Sequence, residues 1–105
     1  MNQFGEKIKN LRENKGLLQR QVANQLEMDT PMLSKIERGE RNAKRDHVTI
    51  LSKIFNVPEE HLLSLWLADK VYDVVKNEDV ALKALSVTEE EIKLDTAKRK
   101  TKKNK

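Results

Sequence analysis

Apolar positions along the chain recur at three- and four-residue intervals and almost never alternate, which predicts amphipathic helices rather than strands. Phe4, Ile8 and Leu11 fall at i, i+4 and i+7 and predict a first helix over about residues 2–15, ended by Gly16. Val22, Ala23 and Leu26 line one side of a second, at about 18–26, after which "EMD" makes a tight break. Asp29 suits the N-cap of a third helix, because its carboxylate can accept amide hydrogens of the first turn. Pro31 suits that turn because it has no amide hydrogen to leave unpaired. Leu33 and Ile36 make its inward face, and Gly39 fits just past its end. A fourth helix, about 44–55, turns Val48, Leu51, Ile54 and Phe55 inward. "NVP" closes it, and Pro58 opens a fifth with Glu59 and Glu60 placed against the helix dipole. That fifth segment stays helical and apolar on more than one face through about residue 76. "NED" then punctuates, "VALKAL" offers one short further helix, residues 86–88 read as a turn into "EEEI", and the last eight residues read as a disordered tail. No internal repeat is present.

The third helix is unusual in what it leaves outside. A helix that only braced a core would carry solubilising charge on its outer face, whereas Thr30, Met32, Ser34 and Lys35 point outward here, a surface dressed for contact. Charge sharpens this: residues 1–57 carry a net +4, residues 58–97 a net −6 and residues 98–105 a net +6. Basic ends around an acidic middle suit a polyanion partner for the ends.

Other chemistry is thinly provided. The absence of cysteine excludes disulfides and thiol catalysis. His47 and His61 stand alone without a second ligand at metal spacing and read as surface or cap residues, and Glu89, Glu90 and Glu91 lack a His, Ser or Lys partner for acid–base work, so they read as a solvated helix start. The expectation is therefore no catalysis, no metal, no cofactor and no evident small-molecule ligand. No apolar run reaches the roughly 18 residues of a bilayer span, and no apolar block follows the basic start, which makes a cytoplasmic location the default.

Two short helices joined by a tight turn, preceded by one packing helix and followed by two more, form the helix-turn-helix arrangement. The segment "GLLQRQVANQLEMDTPMLSKIERGERN" resembles the XRE family of Cro-type, lambda-repressor-like domains, the likeness covering about residues 4–66. The resemblance implies an all-α, five-helix domain over residues 1–66 that binds double-stranded DNA. It implies that Thr30, Met32, Ser34 and Lys35 face bases in the major groove, and that Gln19, Arg38, Arg41, Asn42, Lys44 and Arg45 meet phosphates, Gln19 also bracing the recognition helix. It further implies a buried structural ion pair between Arg12 and Glu37. Three positions depart from the family pattern: Leu18 replaces a Ser or Thr cap, Glu27 replaces a turn Gly, and Thr30-Pro31-Met32 offers no Gln, Asn or Arg for bidentate base contacts. With so little direct readout, DNA shape would have to carry a substantial share of the specificity that the resemblance implies.

Residues 67–97 are expected to form a helical extension that pairs two copies. Residues 62–75 suit either a helix folded back as core or a dimer seam, and the seam is preferred because paired half-sites read palindromes. Leu62, Leu65, Trp66, Val71, Tyr72 and Val75 are its candidates, with Trp66 and Tyr72 as anchors. The basic run at 98–105 reads either as a phosphate-following arm or as a solubilising end. The reading is a homodimeric regulator, repressor or controller, with a mild preference for the restriction-modification controllers among similar small proteins. Its rival is an antitoxin-like protein-interaction module that keeps the scaffold.

Overall fold

The computed structural model describes residues 1–103, in which every regular element is a helix: α1 Gln3–Asn14, α2 Gln19–Gln25, α3 Thr30–Glu37, α4 Arg45–Phe55, α5 Glu59–Val75 and α6 Ala81–Lys103. Local chemistry explains the boundaries. Asn2 caps α1 by accepting the Gly5 amide at 3.2 Å, and Asp29 caps α3 by accepting the Met32 amide at 2.8 Å. Leu18 has no oxygen to cap with, but the Gln21 carboxamide reaches back to the Leu18 amide at 2.8 Å, one half of a capping box.

The first four helices end alike. In each, the amide two residues past the last turn reaches back to a carbonyl five residues earlier, as in Leu17 to Arg12 at 3.0 Å, Met28 to Ala23 at 3.0 Å, Glu40 to Lys35 at 2.8 Å and Val57 to Ser52 at 3.0 Å. This closure needs one left-handed residue, and those residues are Gly16, Glu27, Gly39 and Asn56. Gly and Asn adopt the conformation readily. Glu27, at φ +56°, does not. Glu27→Gly is therefore expected to stabilise the fold: relief of about 1–2 kcal/mol of left-handed strain outweighs about 0.5–1 kcal/mol of added chain entropy. The melting temperature should rise by a few degrees, and calorimetry checks it.

The chain divides into two compact units, Met1–Asp73 and Val74–Lys105. In the first, Phe4, Ile8, Val22, Ala23, Leu26, Leu33, Ile36, Ala43, Val48, Leu51, Phe55 and Leu62 form the core. Each large side chain among them is worth roughly 1.5–3 kcal/mol for leaving water. The unit reaches beyond the boundary expected at residue 66. Trp66 donates its indole N–H to the Ala43 carbonyl at 2.8 Å. Asp69, one turn on, accepts the Gln3 and Phe4 amides at 3.0 and 2.9 Å. A carboxylate from α5 thus completes the N-terminus of α1, where its charge also suits the helix dipole.

Three expectations change. Leu62 has no exposed surface and belongs to this core, so it cannot sit in a seam between copies. Leu65 and Trp66 pack partly buried against the same core, whereas Val71 and Tyr72 are exposed and Val75 is half-buried. The turn expected at residues 86–88 is absent. In α6 the Thr88 hydroxyl donates to the Ala84 carbonyl at 2.9 Å, which accommodates a turn-favouring residue inside a helix. Lys93, 3.6 Å from both Glu89 and Glu90, adds exposed helical pairs. The basic run, expected to be disordered, is helical from Lys98 to Lys103, and Asn104 and Lys105 lie outside the described residues.

Candidate nucleic-acid interface

α3 is held from behind by a small polar network. The Arg12 guanidinium donates to both Glu37 oxygens, Nε to Oε2 at 2.8 Å and Nη2 to Oε1 at 3.1 Å, and gives its remaining arm to the Leu17 carbonyl at 2.9 Å. Gln19 adds its carboxamide N–H to Glu37 Oε1 at 2.9 Å, and Asn2 donates to the Glu37 backbone carbonyl at 2.8 Å. One buried carboxylate therefore ties α1, α2 and the end of α3 together. Hydrogen bonding to Glu37 raises the Arg12 pKa above its ordinary value, against the opposing effect of burial. No buried side-chain nitrogen or oxygen among the described residues lacks a partner.

The opposite face of α3 and the loop beyond it are open. Lys35, Arg38, Arg41, Asn42, Lys44 and Arg45 are exposed, while Thr30 and Ser34 are half-buried. Met32, expected to stand free, packs partly buried against the core. With Met28 and Ile36 it floors a groove whose rim includes Arg41, Asn42, Lys44 and His47. Gln19, expected both to meet a phosphate and to brace the recognition helix, donates its carboxamide to Glu37 at the end of α3. Arg38 is also engaged, by Glu40 and Ser34.

Two helices, α2 and α3, joined by the turn at 26–29, thus present one outward face on a braced frame, and the family described as Helix-turn-helix (HTH_3) matches residues 8–62, just over half of the chain. The chain belongs to this XRE-type helix-turn-helix family. Within the curated proteins, a helix-turn-helix-type transcriptional activator, BcrR of Enterococcus faecalis, is 37% identical over 62 residues, which make up 59% of this chain and 30% of that protein. Among the described residues no helix is long and apolar enough to cross a membrane.

Residues that position the helix-turn-helix unit escaped the pattern of the sequence. Asn2 stands just before an apolar helical stripe, a cap signal that was available. Asp69 had no local signal, since its partners are 65 and 66 residues away. Of the surface and cap roles open to His47, the structure shows the cap: its Nδ1 accepts the Lys44 amide at 3.2 Å at the start of α4.

Burial, then the neighbouring Lys44, lowers the His47 pKa against the opposing pull of Asp46. The folded state thus binds this proton less readily than the unfolded chain. The cap's contribution is full above pH ~6.5, the ordinary histidine value, and is lost as pH falls through the folded pKa. Acidification from about pH 7.5 to 5 is expected to remove about 0.5–1 kcal/mol, the worth of one such bond. His47→Gln, which keeps an acceptor at every pH, should flatten the profile in urea titrations.

Proposed function

We propose that this chain is the DNA-reading part of a sequence-specific transcription regulator, acting as a homodimer that sets α3 of each copy into successive major grooves of a palindromic operator. The observation that carries this reading is the contrast between the two sides of α3. Behind it the Arg12–Glu37–Gln19 network fixes the helix; in front, Lys35, Arg41, Lys44 and Arg45 offer exposed positive charge to phosphates. Thr30, Ser34 and Lys35 are the side chains proposed to reach base edges, and Met32 is left with a thymine-methyl contact at most.

Once Leu62, Leu65 and Trp66 are assigned to the core, the pairing surface rests on the outer side of α5, where Leu67, Val71 and Tyr72 stay exposed. The exposed Leu82, Val87, Ile92 and Leu94 of α6 support the extension as the segment that pairs copies. These same side chains favour the second reading, a protein-docking module on this scaffold. The relative's name describes an activator, and an operator-bound dimer either blocks or recruits polymerase, so the sign of control follows from operator position.

Selection from a random duplex library at near-physiological salt tests the proposal. An enriched palindrome with half-sites about ten base pairs apart is the expected result; recovery without any sequence preference would refute it. Within the enriched site, Lys35→Ala combined with Arg41→Ala is expected to weaken binding on the order of 10- to 100-fold and to flatten the logarithmic salt dependence by about two units. Helical content should be unchanged.

A further inference from the structure

Among the exposed basic side chains of α3 and the loop after it, Arg38 is held in an ion pair. Its Nε donates to Glu40 Oε2, and its Nη1 donates to the Ser34 hydroxyl. The backbone explains why. Gly39, at φ +79°, turns the chain back so that the Glu40 amide reaches the Lys35 carbonyl at 2.8 Å, and the acidic side chain returns over the end of α3. There the Arg38 hydrogen bond and charge hold the Glu40 carboxyl below the ordinary carboxylate range, with Lys35 adding in the same direction. A carboxylate hydrogen-bonded to Arg38, on the face proposed to meet DNA, presents that guanidinium with the negative charge and acceptor oxygen that a backbone phosphate would bring.

We propose that Glu40 is an internal stand-in for phosphate: it occupies Arg38 in the free protein, must be displaced when DNA arrives, and so restrains both affinity and salt dependence. The inference rests on the DNA-binding reading. The guanidinium exchanges one anion for another on binding, so it adds little net counterion release while Glu40 is charged, although an unopposed Arg38 would contribute close to one full contact. Both charged side chains are 55% exposed, and an exposed pair of this kind shifts an equilibrium by no more than about five-fold. Glu40 is thus a tuning element for binding and not a lock.

The test measures fluorescence anisotropy of a labelled mixed-sequence duplex of about 30 base pairs between about 50 and 200 mM salt, because phosphate contacts do not depend on sequence. Glu40→Gln is expected to tighten binding about two- to five-fold and to steepen the logarithmic salt slope by about 0.9. In an Arg38→Ala background the same change should give no gain. If Glu40→Gln alters neither quantity, or raises affinity equally with and without Arg38, Glu40 acts merely as one more negative charge and the inference is overturned. A wild-type protein that retains no duplex even at the lowest salt would instead overturn the DNA-binding reading, and the inference with it.

Discussion

Replacing Glu37 with Ala is expected to destabilise the first unit by about 3–5 kcal/mol, a large fraction of the roughly 5–15 kcal/mol that holds such a domain together. The carboxylate is 3% exposed in its side chain and its partner Arg12 is 11% exposed. Truncation therefore leaves a guanidinium shut away from water with two donors unanswered, and the Gln19 carboxamide loses its acceptor as well. The loss arises from the stranded charge more than from the attraction removed. Arg12→Met together with Glu37→Leu should accordingly recover most of the stability, since a well-packed apolar pair commonly matches a buried ion pair. Urea titrations of the single and double variants check both halves. Equal losses in Glu37→Ala and the apolar double would assign the network a stabilising worth of its own.

Gly5→Ala should also destabilise, by about 2–3 kcal/mol, although helix propensity alone argues the other way. Gly5 lies within α1, where Ala is favoured over Gly by about 1 kcal/mol. A Cβ there would stand 2.5 Å from the Ile36 carbonyl oxygen and 2.7 Å from that of Glu37, and would also crowd the Asn2 side-chain oxygen. The two carbonyls cannot retreat cheaply. They belong to the closing turn of α3, and each accepts a hydrogen bond, from Gly39 at 3.1 Å and from Asn2 at 2.8 Å. Overpacking of this kind ordinarily costs about 1–3 kcal/mol, and rigid backbone on the far side puts it at or above the upper end. Chemical denaturation decides the sign. A stabilised Gly5→Ala would mean that α1 and α3 are free to move apart.

Legibility in the sequence followed the range of the interactions. The ends of α1, α3 and α4 could be read because Gly16, Asp29, Pro31, Gly39 and Asn56 act within a few residues of where they stand. The core face of each short helix could be read because periodicity is local too. Glu27 could be marked as anomalous, but only the structure shows that the left-handed turn is kept and the strain accepted. Residues 86–88 misled because Ser and Thr favour turns in short windows, while the i−4 bond of Thr88 lets the helix continue. The apolar run at 62–75 was harder still. Periodicity cannot say whether an apolar face meets its own domain or another molecule, and the core took Leu62 while Trp66 reached across to Ala43. At the candidate interface, residue identity showed which side chains carry charge but not which of them are already engaged. Arg38 and Arg41 look alike in the sequence, and in the fold Glu40 and Ser34 engage Arg38.

The hydrogen bond from Trp66 to Ala43 gives the molecule an optical property. Trp66 is the only tryptophan in the chain, its indole N–H is anchored on the loop that runs from α3 to α4, and the Lys70 ammonium lies 4.4 Å from the centre of its ring. The indole excited state is sensitive both to that hydrogen bond and to a nearby positive charge. Its emission wavelength and lifetime therefore report the posture of the segment carrying Arg41 and Asn42, so the protein carries its own unlabelled fluorophore beside the surface on which recognition is proposed to occur.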